Sequence, residues 1–138
     1  MKQRPAIPLW LRLVRVFHKL DHALVRDLRA RDLSMAHFDI LAQLSVAEGL
    51  TQQELADHLY VTKGNICQLL DRMTQNGLLL RQQDGRTNRI YLTESGRALI
   101  DRVLPAHEDA IADAFAVLSP GEQRQLASLL RKLDHQLS

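Results

Sequence analysis

Thr62-Lys-Gly-Asn-Ile-Cys-Gln-Leu-Leu-Asp-Arg-Met-Thr-Gln-Asn-Gly77 reads as a complete helix, with a cap, a buried stripe and a stop. Thr62 suits an N-cap, because its hydroxyl accepts a hydrogen bond from a first-turn N–H that has no partner inside the helix. Asn76-Gly77 ends it, since glycine adopts the left-handed conformation that closes a helix. Ile66, Leu69, Leu70 and Met73 recur at the i, i+3, i+4, i+7 spacing of one apolar face. The other face carries Lys63, Gly64, Asn65, Gln68, Arg72 and Gln75. It is rich in amides and cations and nearly free of acids, which suits a helix laid against a partner outside the chain.

The residues on either side give this helix a context. Upstream, Thr51-Gln-Gln-Glu54 has the form of a capping box, and Leu55, Ala56 and Leu59 predict a short helix ending near Tyr60-Val61. Two capped helices this close together make a helix-turn-helix. Downstream, Leu78–Gln82 and Arg89–Leu92 read as strands around Gln83–Asn88, where Asp84-Gly85 is a turn signal. A hairpin directly after a helix-turn-helix is a wing, with Arg86 near its tip.

Further out, Ile7 to Leu28 predicts a long amphipathic helix on Leu13, Val14, Phe17, Leu20, Leu24 and Leu28. Trp10, Val16 and Val25 widen its apolar face beyond what one neighbour covers, which points to a second subunit. Ser34 caps a helix that buries Phe38, Ile40, Leu41 and Leu44, and Gly49 closes it. Thr93 caps a long helix that Pro105 is expected to end or bend. Ser119-Pro120-Gly121-Glu122 opens a last helix lined by Leu126, Leu129, Leu130, Leu133 and Leu137. The expected fold is mainly α with a small β-hairpin wing: a winged helix-turn-helix plus a helical dimerisation region.

Composition narrows the function classes. The formal net charge is only +2 over 138 residues, so its distribution matters more. Residues 62–102 hold seven Arg or Lys against four acids, whereas residues 103–138 hold three against five. The positive end surrounds the 62–77 helix and suits an anionic partner. Cys67 is the single cysteine, so no intramolecular disulfide forms. No signal peptide or membrane-length apolar run is read, and a cytoplasmic protein without membrane association is expected. No phosphate loop, nucleophile elbow or carboxylate pair suggests an enzyme, and no cofactor is expected.

Taken in order, Thr51-Gln-Gln-Glu-Leu-Ala56, Thr62-Lys-Gly-Asn-Ile66, Leu70-Asp-Arg-Met73, Asn76-Gly-Leu-Leu79, Asp84-Gly-Arg86 and Leu92-Thr-Glu-Ser-Gly-Arg97 carry a resemblance to the MarR family of winged-helix transcriptional regulators. Leu118-Ser-Pro-Gly-Glu122 fits as well, so the likeness spans nearly the whole chain. The resemblance implies a homodimer with interleaved terminal helices and two winged helices facing a pseudo-palindromic operator in double-stranded DNA. It implies a repressor released by a small-molecule effector held between the dimerisation helices and the winged helix. The chain then divides into a DNA-binding part, about 33–100, and a dimerisation part, 7–30 and 101–138.

A recognition helix reads base edges mainly with its N-terminal residues, which places Thr62, Lys63, Gly64, Asn65 and Gln68 in the major groove. Arg72, Arg81 and Arg89 are expected on phosphates. Asp71 would repel phosphate and is expected to pair with a basic neighbour. Relatives insert a wing-tip arginine into the minor groove while an aspartate holds it, which implies those roles for Arg86 and Asp84. Gly85 replaces the middle arginine of that motif, and the wing is shorter than is common. Tyr60 stands where relatives often have glycine.

Three alternatives stay open. The first is a winged-helix module that dimerises and binds protein, against which Lys63, Arg86 and Arg89 argue. The second is redox sensing through Cys67, which is expected to be a half-buried bystander on the flank of the stripe. The third is a regulatory metal on His37, Asp39, His107 and Glu108 or on the i, i+4 pair His18 and His22, although no metal ligand is assigned.

Overall fold

The computed structural model describes residues 4–59 and 65–138. These form α1 (Ala6–Arg29), α2 (Met35–Val46), β1 (Leu50–Thr51), α3 (Gln52–His58), α4 (Ile66–Gln75), β2 (Leu79–Asp84), β3 (Thr87–Leu92), α5 (Glu94–Phe115) and α6 (Pro120–Leu137). The expected mainly helical chain with a hairpin wing is what is found.

Local chemistry sets most boundaries. Ser34 Oγ accepts from the His37 amide at the start of α2, and Thr93 Oγ1 accepts from the Gly96 amide at the start of α5. Ser119 and Glu122 form the reciprocal capping box of α6, at 3.2 and 2.8 Å. At α3 only half of the expected box exists: Thr51 Oγ1 accepts from the Glu54 amide. Thr51 is also a strand residue there, paired with Arg89. α4 closes as predicted, with Gly77 at φ +77, its amide on the Thr74 carbonyl and the Leu78 amide on the Met73 carbonyl. These two bonds are the glycine-closed helix end in which the last orphan carbonyls find donors.

Three expectations are corrected. α4 begins at Ile66 with Asn65 as its N-cap residue, so Asn65 lies outside the helix rather than in its first turn. Its backbone, at φ −93 and ψ 54, is non-helical, and its side chain makes no capping bond but donates to Gln68 Oε1. α5 runs through Pro105 as one helix and is not ended by it. Its position fits a continuous helix because loss of one N–H leaves the surrounding turns hydrogen-bonded and packed by Val103 and His107. The hairpin is tighter than expected: Gln83 pairs with Asn88 and Asp84 with Thr87, leaving Gly85-Arg86 as a two-residue turn. Gly85 has φ +64, and a glycine at the first central position is what a hairpin turn of this hand requires.

The strand order is β1-β3-β2, all antiparallel. β1 pairs Leu50 with Ile90, which extends the hairpin into a small sheet. A single core joins Leu28 of α1, Phe38, Ile40, Leu41 and Leu44 of α2, Leu55 of α3, Leu70 and Met73 of α4, Ile90 of β3, and Ile100 and Val103 of α5. The four apolar residues predicted to be buried in α2 are buried, and Asp39, which was not in that set, is buried with them. Burying each such side chain contributes about 1.5–3 kcal/mol, which is what fixes the helix-turn-helix and the wing on one scaffold.

α1 and α6 are different. The N-terminal half of α1 leaves Leu9, Trp10 and Phe17 at 65, 60 and 61 % exposure, and no residue of α6 is buried. Leu9 and Leu13 of α1 face Leu126, Leu129, Leu130 and Leu133 of α6 across an apolar groove of about 500 Å³. No helix among the described residues is long and apolar enough to cross a membrane.

Candidate nucleic-acid interface

α4 is held in place from three sides. Its buried stripe is Ile66, Leu70 and Met73, with Leu69 half-buried. Its C-terminal turn is fastened to the start of α5, because the Thr93 amide donates to the Leu78 carbonyl at 3.1 Å and Thr93 Oγ1 donates to the Gly77 carbonyl. Gly96 is packed so closely there that a Cβ would lie 2.2 Å from the Leu78 oxygen. The outer face of α4 and the wing are therefore presented by rigid, buried supports.

On that outer face Asn65, Gln68 and Arg72 are all exposed. Asn65 Nδ2 donates to Gln68 Oε1 at 3.0 Å, which couples the two amides. The Asn65 oxygen and the Gln68 amide protons have no side-chain partner among the described residues, and such a pair suits an acceptor–donor edge, as adenine presents in the major groove. Thr62, Lys63, Gly64 and Tyr60 lie outside the described residues.

The wing carries the other predicted residues, with a different pairing from the one the resemblance implied. Asp84 Oδ2 accepts from Arg89 Nε at 2.7 Å, so it holds Arg89 rather than Arg86. The register explains the choice. Asp84 sits opposite Thr87, making Arg89 its diagonal neighbour on the same face, whereas Arg86 belongs to the turn. Arg89 Nη1 also donates to the Gly49 carbonyl at 2.9 Å, tying the wing to the end of α2. The Asp84 bond raises the Arg89 pKa further, so its charge is permanent. Arg81 pairs with Asp71 of α4 at 2.7 Å, which gives the acid of the recognition helix the basic partner expected for it. Arg86 is exposed at the tip and has no ion pair or hydrogen bond among the described residues.

Cys67 is exposed rather than half-buried, and Gln52 Nε2 lies 2.7 Å from its sulfur. With Ile66 and Leu70 turned inward, the residue after Ile66 points along the helix surface. Among the described residues no three His, Cys, Asp or Glu side chains gather as a metal site.

The sequence marks His37 and His107 only as candidate metal ligands; the fold buries a ring nitrogen of each. His107 is buried and its ring centroid lies 4.3 Å from that of Phe38. His107 Nδ1, His37 Nε2 and Asp27 Oδ2 are buried without a hydrogen-bond partner among the described residues. Burial lowers the pKa of His107, opposed by the carboxylates of Asp27 and Glu108. Burial, with Arg72 adding to it, lowers that of His37. The burial of these atoms has no local signal, because it follows from how α1, α2 and α5 pack on one another.

A capped recognition helix, a preceding α3, and an arginine-tipped hairpin on one core define a winged helix-turn-helix protein. The MarR family model matches residues 31–90. An uncharacterised HTH-type transcriptional regulator of Bacillus cereus ATCC 10987 is 38 % identical over 127 residues, covering 91 % of this chain and 86 % of its own. The HTH-type transcriptional repressor YetL of Bacillus subtilis 168 is 31 % identical over 138 residues, covering 96 % and 83 %. A mutant of Escherichia coli MarR in complex with operator DNA superposes with a TM-score of 0.80 at 27 % identity, over 93 % of this chain and 94 % of that one. The chain belongs to the MarR family and is a transcriptional regulator, not an enzyme.

Proposed function

We propose that the chain acts in the cytoplasm as a homodimeric, sequence-specific repressor on a pseudo-palindromic operator, and that a small-molecule effector releases it. Residues about 33–100 bind DNA, and 7–30 with 101–138 hold the two copies together. In this reading Thr62, Lys63, Gly64, Asn65 and Gln68 meet base edges, and Arg72 meets phosphate. Arg86 enters the minor groove, where a narrow groove concentrates negative potential. Arg81 and Arg89, braced by Asp71 and Asp84, hold the wing at a fixed distance from α4 and offer their remaining N–H groups to phosphates.

The observation that carries the proposal is the contrast along the wing: Arg81 and Arg89 are neutralised by carboxylates, while Arg86 at the tip has no such partner among the described residues. The operator complex of the E. coli relative and the repressor role of YetL support it. The exposed apolar faces of α1 and α6 support the dimer, since a contiguous patch of this kind marks an interaction surface. The buried ring nitrogens of His37 and His107, without a hydrogen-bond partner among the described residues, support an effector with polar groups beside α2 and α5. Such a ligand acts by favouring a dimer whose recognition helices no longer match the half-site spacing.

Titrating duplex DNA at several salt concentrations tests the assignment. Arg86→Ala is expected to weaken binding and to make the slope of log affinity against log salt shallower by about 1. Unchanged affinity and slope would remove Arg86 from the interface.

A further inference from the structure

The solvent face of α1 carries a second charged feature, distinct from the recognition helix and the wing. Arg12, Arg15, Lys19, His22, Arg26 and Arg29 recur at alternating spacings of three and four and are all exposed. This places them on one stripe of the helix, about 26 Å long at 1.5 Å per residue. The acids of α1 are Asp21 and Asp27, both partly buried and off the stripe. Four cations elsewhere are paired: Arg31 with Asp27, Arg81 with Asp71, Arg89 with Asp84 and Arg97 with Glu48. None of the five permanent cations on the stripe has an ion pair or hydrogen bond among the described residues. The helix dipole accounts for Arg26 and Arg29 near the C-terminus. It gives no reason for Arg12, Arg15 and Lys19 in the first half.

We propose that this stripe is a second duplex-DNA contact surface, separate from α4 and the wing; the inference rests on the DNA-binding reading above. Self-repulsion along a helix face is offset when the face meets a rod of opposite charge, and duplex DNA carries one phosphate charge per about 1.7 Å of axis. Four of the five cations are arginines, whose planar fork meets phosphate oxygens two at a time. An anionic bilayer fits less well. Leu11 is the one large exposed apolar side chain beside Arg15, Lys19 and His22, too little for insertion, and Leu9 and Leu13 of the same helix face α6 across the leucine groove. α1 packs on α5 and α2, whereas α4 packs on β2 and α3, so duplex held by the stripe need not displace duplex held by α4. The consequence is a regulator that holds flanking or second-duplex DNA without reading its sequence.

The test uses the full chain and a labelled duplex of mixed sequence, with anisotropy titrations over a salt series. The quadruple variant Arg12→Gln, Arg15→Gln, Lys19→Gln and Arg26→Gln keeps good helix formers at exposed positions. It should shallow the slope of log affinity against log salt by about 3.6, and the Arg12→Gln, Arg15→Gln double variant by about 1.8. The loss from Arg86→Ala should add to either one. A parental slope in both variants would overturn the proposal while leaving α4 and the wing as the DNA-binding site. Altered gel-filtration size would overturn it by placing the stripe between copies. Loss of retention on phosphatidylserine vesicles, with the DNA slope unchanged, would overturn it in favour of a membrane. If the parent protein retains no duplex at any salt, the DNA-binding reading itself falls, and this proposal with it.

Discussion

His107 shows how a single residue links stability to pH. It is buried against Phe38, and burial lowers its pKa because the imidazolium is hard to accommodate there. His37 is shifted in the same direction by burial and by Arg72. The folded chain therefore binds fewer protons than the unfolded chain at pH values just below the ordinary histidine value of about 6.5. Their contribution to stability is complete above that value and declines as pH falls through it. The thermal midpoint is expected to drop on acidification from about pH 7.5 to 5.5, and His107→Gln should flatten part of that drop. Equal pH dependence in the parent and the variant would show that His107 does not titrate with folding. Cys67 makes the opposite case: it is exposed, and among the described residues only Gln52 hydrogen-bonds its sulfur.

At the scale of elements, the junction between the wing and α5 sets the presentation of α4. Gly96 touches the Leu78 carbonyl, while Thr93 bonds both Leu78 and Gly77. Gly96→Ala forces two backbone segments apart and is expected to cost about 3 kcal/mol. Gly121→Ala is the control, since its added Cβ meets nothing closer than 3.9 Å, and should be close to neutral. Calorimetric midpoints of the two variants separate them, and equal midpoints would contradict the tight junction. The elements were legible in the sequence wherever their signals are local. The Ser34, Thr93 and Ser119–Glu122 caps and the Asn76-Gly77 stop each depend on residues within one turn. β1 escaped notice because two residues carry no period, and it exists only by pairing with β3. The partner of Asp84 escaped because register, not sequence distance, brings Arg89 to it. The stripe of α4 was legible, but its starting residue was not, since Asn65 suits a first turn and a cap alike.

The whole molecule leaves its terminal helices unfinished as a single chain. Trp10 and Phe17 on α1, and Leu129, Leu130 and Leu133 on α6, are between 41 and 61 % exposed, and burying what remains exposed would contribute on the order of 1 kcal/mol for each. A second copy offers the same faces in return, which is the self-complementary interface of a two-fold dimer. Leu133→Glu is expected to shift the chain from dimer to monomer in analytical ultracentrifugation and to weaken DNA binding with it. An unchanged sedimentation coefficient would place the interface elsewhere. Two copies set two α4 helices and two Arg86 tips against one duplex, so spacing between half-sites becomes a property of the assembly. The most direct measurement is footprinting of purified protein on genomic DNA fragments. The account predicts protection of a pseudo-palindrome whose half-sites lie about one helical turn, 10–10.5 base pairs, apart, and loss of that protection in Arg86→Ala. Protection of no discrete site, or of one identical in the parent and Arg86→Ala, would contradict it.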